Sequence, residues 1–330
     1  MTINDLRQFY TPAAVAARLK SLPKLKTSIL DLVYQIRRRH PFAMVAAEDI
    51  TELGVAQPLV MRGAPSLRMG GSPTAVGMYE PYEVSLHRDL TAAAMNDLKQ
   101  LGRDGIQTHL ANLDDSMRRA SRATAEGIAA TSLTGTISWP VQNESGSFQT
   151  YEVQFGSPHS HTPSTLWDAA EAKIRQVFAD LQAMETLITD SGYASTVVFL
   201  AGSSAYTALL ALSEAYAENP RAKLRVDVSE EGISIGGYLV KRMSEKYRNP
   251  QTGVSTPKVP STKICAVGTD APFSLFYCAI DDLDGKLQPL PYFSKPVKLA
   301  DPSVHRIIGK SKPFPVPVVK AICWATVTSA

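Results

Sequence analysis

The chain has 330 residues, 44% of them hydrophobic and 20% charged, with a net charge of +3. That is enough apolar material for one large domain or two medium ones, and too balanced a charge for a disordered acidic tail or a protein that coats nucleic acid with its whole surface. Three cysteines without a close pair, Cys265, Cys278 and Cys323, argue against a disulfide or zinc framework and read as buried thiols.

The charge is uneven. The first 40 residues hold eight basic side chains against Asp5 and Asp31, a net +6, which leaves the remaining 290 at −3. Within this lead, Thr11 reads as an N-cap and Pro12 as the first position of a short helix to about Lys20. After Pro23, the run Ile29–Tyr34 is apolar enough to dock somewhere. A basic, proline-interrupted lead of this size is expected to build no core of its own, so it reads as an arm lying on a neighbouring copy or an anionic surface. No apolar run approaches the ~20 residues of a membrane span, and the polar opening predicts no signal peptide.

From about Glu52 to Arg88 the texture is Gly- and Pro-rich, with Gly70-Gly71 as the central turn of a long hairpin too weak to support itself. No Lys-Ser/Thr follows that pair, so it is not a phosphate loop. A short helix is expected over 89–101, then a long one over Gly105–Leu133. Ile106, Leu110, Leu113, Met117, Ala120, Ala123, Ile128 and Thr131 form its narrow apolar stripe. Asp114 with Arg118, and Asp115 with Arg119, give i,i+4 pairs on a solvated face; Asp104 is the expected cap and Gly135 the stop. Two alternating runs, 136–141 and 150–155, flank the turn Asn143-Glu144-Ser145-Gly146 as a β-hairpin. A second helix is expected from Thr162-Pro163-Ser164 to about Asp190. The block after it reads as an inserted α/β module: a strand at 195–200, a helix at 202–217, short strands over 223–243, a loop at 249–262, and strands at 263–267 and 274–280. Three β-like runs separated by Pro313, Pro315 and Pro317 complete the C-terminal part.

Candidate chemistry is sparse. His159 and His161 form an H-x-H, but in a loop setting and without a third ligand, so no metal site is expected. Gly202-Ser203-Ser204 lies between a strand and a helix, and Asp281 or Asp284 with His305 could complete a Ser-Asp-His order. The second glycine of a nucleophile elbow is missing, and Ser203 is equally an N-cap. Asp281-Asp282-Leu283-Asp284 lacks the closing Glu of a calcium loop and reads as a solvated turn. No cofactor and no catalytic activity is expected.

The order of parts, together with Phe9-Tyr10-Thr11-Pro12, Tyr79-Glu80-Pro81-Tyr82, Gly236-Gly237-Tyr238, Pro291-Tyr292-Phe293-Ser294-Lys295, Asp301-Pro302 and Ser311-Lys312-Pro313-Phe314-Pro315-Val316-Pro317, resembles the major capsid proteins of tailed bacteriophages, in particular the lambda-like capsid protein E family. The resemblance implies an α+β, Hong Kong 97-like fold: an N-terminal arm (1–50), an extended E-loop hairpin (51–90), a peripheral domain with a long spine helix (91–192), an inserted axial domain (193–285) and a return to the peripheral domain (286–330). It further implies a virion head assembled in the host cytoplasm from pentamers and hexamers of this chain. Implied partners are portal, scaffold, a decoration protein where one is used, and packaged DNA held through its phosphates without sequence preference, with no membrane. Arg37, Arg38, Arg39, Arg62, Arg68, Gly70 and Gly71 are the expected contacts to neighbours, scaffold or DNA. The rivals are an encapsulin-type cellular shell of the same fold, a serine hydrolase, and another virion component such as a decoration or tail-tube protein.

Overall fold

The computed structural model describes residues 6–42, 44–46, 78–100, 102–217, 224–299 and 304–329. The lead folds into a 3-10 turn at Gln8–Tyr10, helix α1 (Pro12–Ser21), helix α2 (Ser28–Leu32) and strand β1 (Ile36–His40). Thr11 caps α1, its Oγ1 accepting from Ala14 N at 3.3 Å, and Pro12 opens the first turn. Strands β2 (Val45–Ala46) and β3 (Met78–Tyr79) pair antiparallel with Ala46 opposite Met78, which brings together the two ends of the intervening stretch. The chain continues through β4 (Val84–Leu90), α3 (Ala92–Gln100), the 30-residue α4 (Arg103–Ser132), and the hairpin β5 (Thr136–Gln142) and β6 (Phe148–Gln154). Then come β7 (His159–His161), α5 (Ile174–Asp190), β8 (Val197–Ala201) and α6 (Ser203–Ala217). The remaining strands are β9 (Val226–Ser229), β10 (Gly232–Ile235), β11 (Tyr238–Arg242), β12 (Lys246–Arg248), β13 (Ser255–Pro257), β14 (Lys263–Gly268), β15 (Ser274–Cys278), β16 (Phe293–Leu299), β17 (Val304–Ser311), β18 (Pro313–Val316) and β19 (Ile322–Thr326).

A seven-stranded mixed sheet, in the order β7-β19-β14-β8-β11-β10-β9, organises the body. Side-chain alternation sends one set of residues to each of its faces. Ile264 and Ala266 pack with Phe199, Ala201, Cys323 and Ala325 under α5 and α6, while Cys265 and Val267 pack with Leu200 and Ile322 against α2 and the C-terminal end of α4. This sheet takes β7 and β19 from outside residues 193–285, and β15 leaves that block to pair with β1 and β18. The N-terminal half of α4 packs instead with Leu6, Tyr10, Val15, Leu90 and Ile307, next to the sheet β16-β17-β4. At 1.5 Å per residue the helix is roughly 45 Å long and so bridges both packing regions.

Several expectations need correction. The lead is not left to neighbouring copies: over 6–42 it buries Leu6, Tyr10, Ile29, Leu30, Val33 and Tyr34 on its own body. Gly102, not Asp104, is the N-cap of α4, and Asp104 lies in the first turn. Ala120 and Ala123 are exposed, because the buried face of α4 runs through Leu110, Asp114, Met117, Ser121 and Ala125. Asp114 is therefore fully buried and pairs with Arg18, while Asp115 takes both Arg118 at 2.8 Å and Arg119 at 2.6 Å. The second helix begins only at Ile174, since Trp167 is drawn inward: its backbone N donates to Val327 O at 2.7 Å and its indole Nε1 to Asp180 Oδ2 at 3.0 Å. The stretch around 249–262 contains β13, paired with β12. Pro313 and Pro315 lie inside β18, where the missing N–H is tolerated because the strand is at a sheet edge. Gly135, with φ +84°, does follow the end of α4, and the predicted hairpin across 143–146 is present.

Candidate functional site

The lead is fastened to α4 by three groups of charges. In the first, Arg18 of α1 pairs with Asp114 of α4 at 2.5 Å, both side chains being at most 4% exposed. The Tyr10 ring lies 4.6 Å from the guanidinium carbon. Burial, which outweighs the pull of Arg18 and of Ser294 and Tyr292, pushes the Asp114 carboxyl up to about 6. The hydroxyls of Tyr10, Tyr292 and Ser294 are buried without an aligned hydrogen-bond partner, so this contact is under-satisfied for its burial.

In the second group, Lys258 Nζ reaches Glu126 Oε1 at 2.7 Å, Glu245 Oε2 at 2.5 Å and Ser28 Oγ at 2.7 Å. Glu126 also accepts from the backbone N of Ile29 at 2.7 Å and of Leu30 at 2.9 Å, capping the orphan donors at the start of α2. In the third, Asp31 pairs with Arg37 and, at 2.7 Å, with Arg122. Its carboxyl is held below the usual range: burial raises it, but hydrogen bonds from Thr27 and the nearby arginines outweigh that. A cavity of about 550 Å³ opens beside the second group, lined among others by Lys26, Trp139, Lys246, Tyr247 and Arg248.

The expected contact residues separate. Arg37, Arg38 and Arg39 lie on β1, an edge strand that runs parallel to β15, with all three exposed. Arg37 is taken by Asp31, whereas Arg38 and Arg39 have no ion-pair partner among the described residues. Arg62, Arg68, Gly70 and Gly71 lie outside the described residues. The acidic run at 281–284 is not simply solvated: Asp282 is buried and meets Lys295 at 2.7 Å, Asp284 meets Lys295 at 2.8 Å, and Asp281 meets the buried Lys312 at 2.9 Å.

The pieces of a hydrolase do not converge. Asp281 and Asp284 are engaged with lysines, His305 lies on β17 in a different sheet from β8, and Gly202 is a packing position, since a Cβ there would stand 2.0 Å from Pro260 O. His159 and His161 prove to be on a strand, β7, where His161 Nε2 lies 2.9 Å from Asp180 Oδ1. No group of potential metal ligands occurs among the described residues. All three thiols are buried and shifted upward by burial, those of Cys278 and Cys323 to about 12. No helix among the described residues is long and apolar enough to cross a membrane.

A model of the family described as phage major capsid protein E matches residues 11–327. The chain belongs to that family. This capsid protein has the Hong Kong 97-like fold, as its similarity to solved structures shows. A prophage protein of E. coli CFT073, described as its capsid protein, superposes with a TM-score of 0.66 at 14% identity, over 99% of each chain. A phage-related protein from Bordetella bronchiseptica RB50 gives 0.50 at 11% identity, over 96% of each chain. An encapsulin complex from Synechococcus elongatus PCC 7942 gives 0.45 at 10% identity, over 96% of this chain and 95% of the other. No curated protein sequence matches.

Sequence reasoning missed the buried charges of the capsid protein. Asp114 carried a usable signal: it falls between Leu110 and Met117 at spacings of four and three, on the buried stripe. Lys258, in a loop rich in Pro, Ser and Thr, carried none.

Proposed function

We propose that the protein is the shell subunit of a phage head, its copies closing into pentamers and hexamers around double-stranded DNA. The family match across residues 11–327 carries this reading. The paired base formed by Val45–Ala46 and Met78–Tyr79 supports it, because the Gly- and Pro-rich sequence between them has little apolar periodicity to bury on its own body. In this reading that sequence, with Arg62, Arg68, Gly70 and Gly71, serves as the E-loop and lies on a neighbouring copy. Contacts between unlike patches then close rings and a shell.

Helix α4 acts as the spine of a peripheral domain (91–192 and 286–330), and the block 193–285 as the axial domain. Arg38 and Arg39, on an open sheet edge, meet a neighbouring copy or the scaffold. Portal and, where used, a decoration protein are further partners, and assembly takes place in the host cytoplasm. The role is structural rather than enzymatic. Electron microscopy of purified full-length protein tests the reading: closed shells are expected, with duplex DNA inside particles recovered from phage-producing cells. Open tubes or a persistent monomer would overturn it, and a cargo protein in place of DNA would move the chain to the encapsulins.

A further inference from the structure

The charges around α2 are distributed unequally between paired and unpaired groups. Residues 23–31 of the lead run beside residues 118–126 of α4, held by Arg118 to Pro23 O at 2.7 Å, Arg122 to Thr27 Oγ1 at 2.7 Å and Lys258 to Ser28 Oγ at 2.7 Å. Every carboxylate on this face is already committed: Asp31 to Arg37 and Arg122, Asp115 to Arg118 and Arg119, Glu126 and Glu245 to Lys258. Four exposed cations are left over. Lys24, Lys26, Lys246 and Arg248 have no ion-pair partner among the described residues, and the last three line the 550 Å³ cavity. Leaving Arg37 to strand β1, four paired and four unpaired cations against four carboxylates give this face a net +4, more than the +3 of the entire chain.

We infer that this face, made by the lead, the middle of α4 and the β12–β13 hairpin, is the surface through which the subunit meets the phosphates of packaged duplex DNA. The inference rests on the shell reading above and adds the side of the subunit that faces the genome. Exposed lysines spread around an open cavity suit a sequence-independent polyanion, which asks for positive charge at intervals and for no shaped pocket. A protein partner would call for large apolar anchors at the centre of the patch. Here the fully exposed apolar lining is small, Ala123 and Pro250; Tyr247 is half-buried against Trp139, which lies beneath it, and the exposed Val254 sits between β12 and β13 without lining the cavity. The cavity floor carries no positive charge for DNA, because Lys258 balances only one of its two glutamates, and the surplus lies entirely on the rim.

The test uses purified full-length subunit and a mixed-sequence duplex of about 30 bp, titrated between about 50 and 200 mM salt. Two variants are compared: Lys24→Gln/Lys26→Gln/Lys246→Gln/Arg248→Gln, and Arg38→Gln/Arg39→Gln as a control on another edge. Removing each phosphate contact lowers the slope of log K against log salt by about 0.9, so the fourfold variant is expected to lose up to about 3.6 in slope and at least about tenfold in affinity. The control is expected to keep the wild-type slope. All six positions are exposed, and thermal melts confirm that both variants fold. Absence of DNA binding by the wild type, an unchanged slope in the fourfold variant, or equal losses in both variants would overturn the inference. So would binding of polyglutamate, but not duplex DNA, at these residues, which would point to an acidic protein. Particle formation is scored separately by microscopy. Closed shells with unaltered DNA binding sink this inference alone, whereas failure of the wild type to form shells sinks the reading beneath it.

Discussion

Gly127 lies in the interior of α4, where glycine ordinarily costs a helix about 1 kcal/mol relative to alanine. Its retention has a packing cause. A Cβ built there would stand 2.4 Å from Cη2 and 2.8 Å from Cζ3 of Trp139, whose ring is itself tilted against Tyr247 with centroids 5.5 Å apart. Forcing a methyl into such a contact costs about 1–3 kcal/mol. The cavity beside Trp139 gives the ring room to yield, which places the cost near about 2 kcal/mol. Set against the propensity gain, Gly127→Ala is expected to destabilise the unassembled subunit by about 1 kcal/mol. In a Trp139→Leu background the obstruction is gone, and the same substitution is expected to stabilise by about 1 kcal/mol, a coupling of about 2 kcal/mol. Urea denaturation of the four proteins followed by circular dichroism measures it. A Gly127→Ala protein more stable than wild type by the full propensity gain would show that the ring does not rest on this helix.

Further outcomes follow from the buried charges. Lys258→Met leaves the buried Glu126 carboxylate without its cation and is expected to cost about 3–5 kcal/mol in the same urea assay; a loss below about 1 kcal/mol would refute the pairing. Asp114 holds its proton more tightly when folded, so its contribution to stability is fullest below about pH 4 and falls as pH rises towards about 6. Asp114→Asn should therefore compare more favourably with wild type at pH 7 than at pH 4.5, and an unchanged difference between the two pH values would contradict the assignment. Cys265, Cys278 and Cys323 are expected to resist a thiol reagent until the protein is unfolded, and rapid labelling of the native chain would show that burial is incomplete. Ser203→Ala/Ser204→Ala should assemble like wild type; loss of a measurable esterase activity in that variant would revive the hydrolase.

The elements legible in the sequence were those whose signals are local. Thr11-Pro12 fixes the start of α1 because both the cap and the ring act within one turn, and the Asn143–Gly146 turn fixes the register of β5 and β6. Gly236-Gly237 divides β10 from β11 for the same reason, whereas the turn between β9 and β10 falls at Glu230-Glu231 and Gly232 is the first residue of β10. The failures share a different cause. Asp114 reads as one half of a solvated i,i+4 pair until Arg18, almost a hundred residues earlier in the chain, is placed against it. Ala120 and Ala123 then turn outward, since a face that buries Asp114 and Ser121 is rotated away from them. Residues 162–173 have helical spacing but lose their helix to Trp167, whose partners Asp180 and Val327 come from elsewhere in the chain.

The same distinction bears on the lead. Its composition suggested a segment with nothing of its own to pack on, and by itself that is true: Ile29, Leu30, Val33 and Tyr34 find their cover on the C-terminal end of α4, the seven-stranded sheet and the start of β15, where Tyr34 meets the preceding Phe273. Beside that apolar burial the lead is tied by ion pairs, and in the Arg18–Asp114 pair the surrounding hydroxyls are poorly satisfied. A buried ion pair contributes little net stability against a well-packed apolar alternative, while loss of either partner is costly. An apolar seam would have held the lead at least as firmly, so the charged seam adds definition more than strength. It fixes which turn of α1 meets which turn of α4, and it leaves the basic side chains beyond Pro23 facing outward.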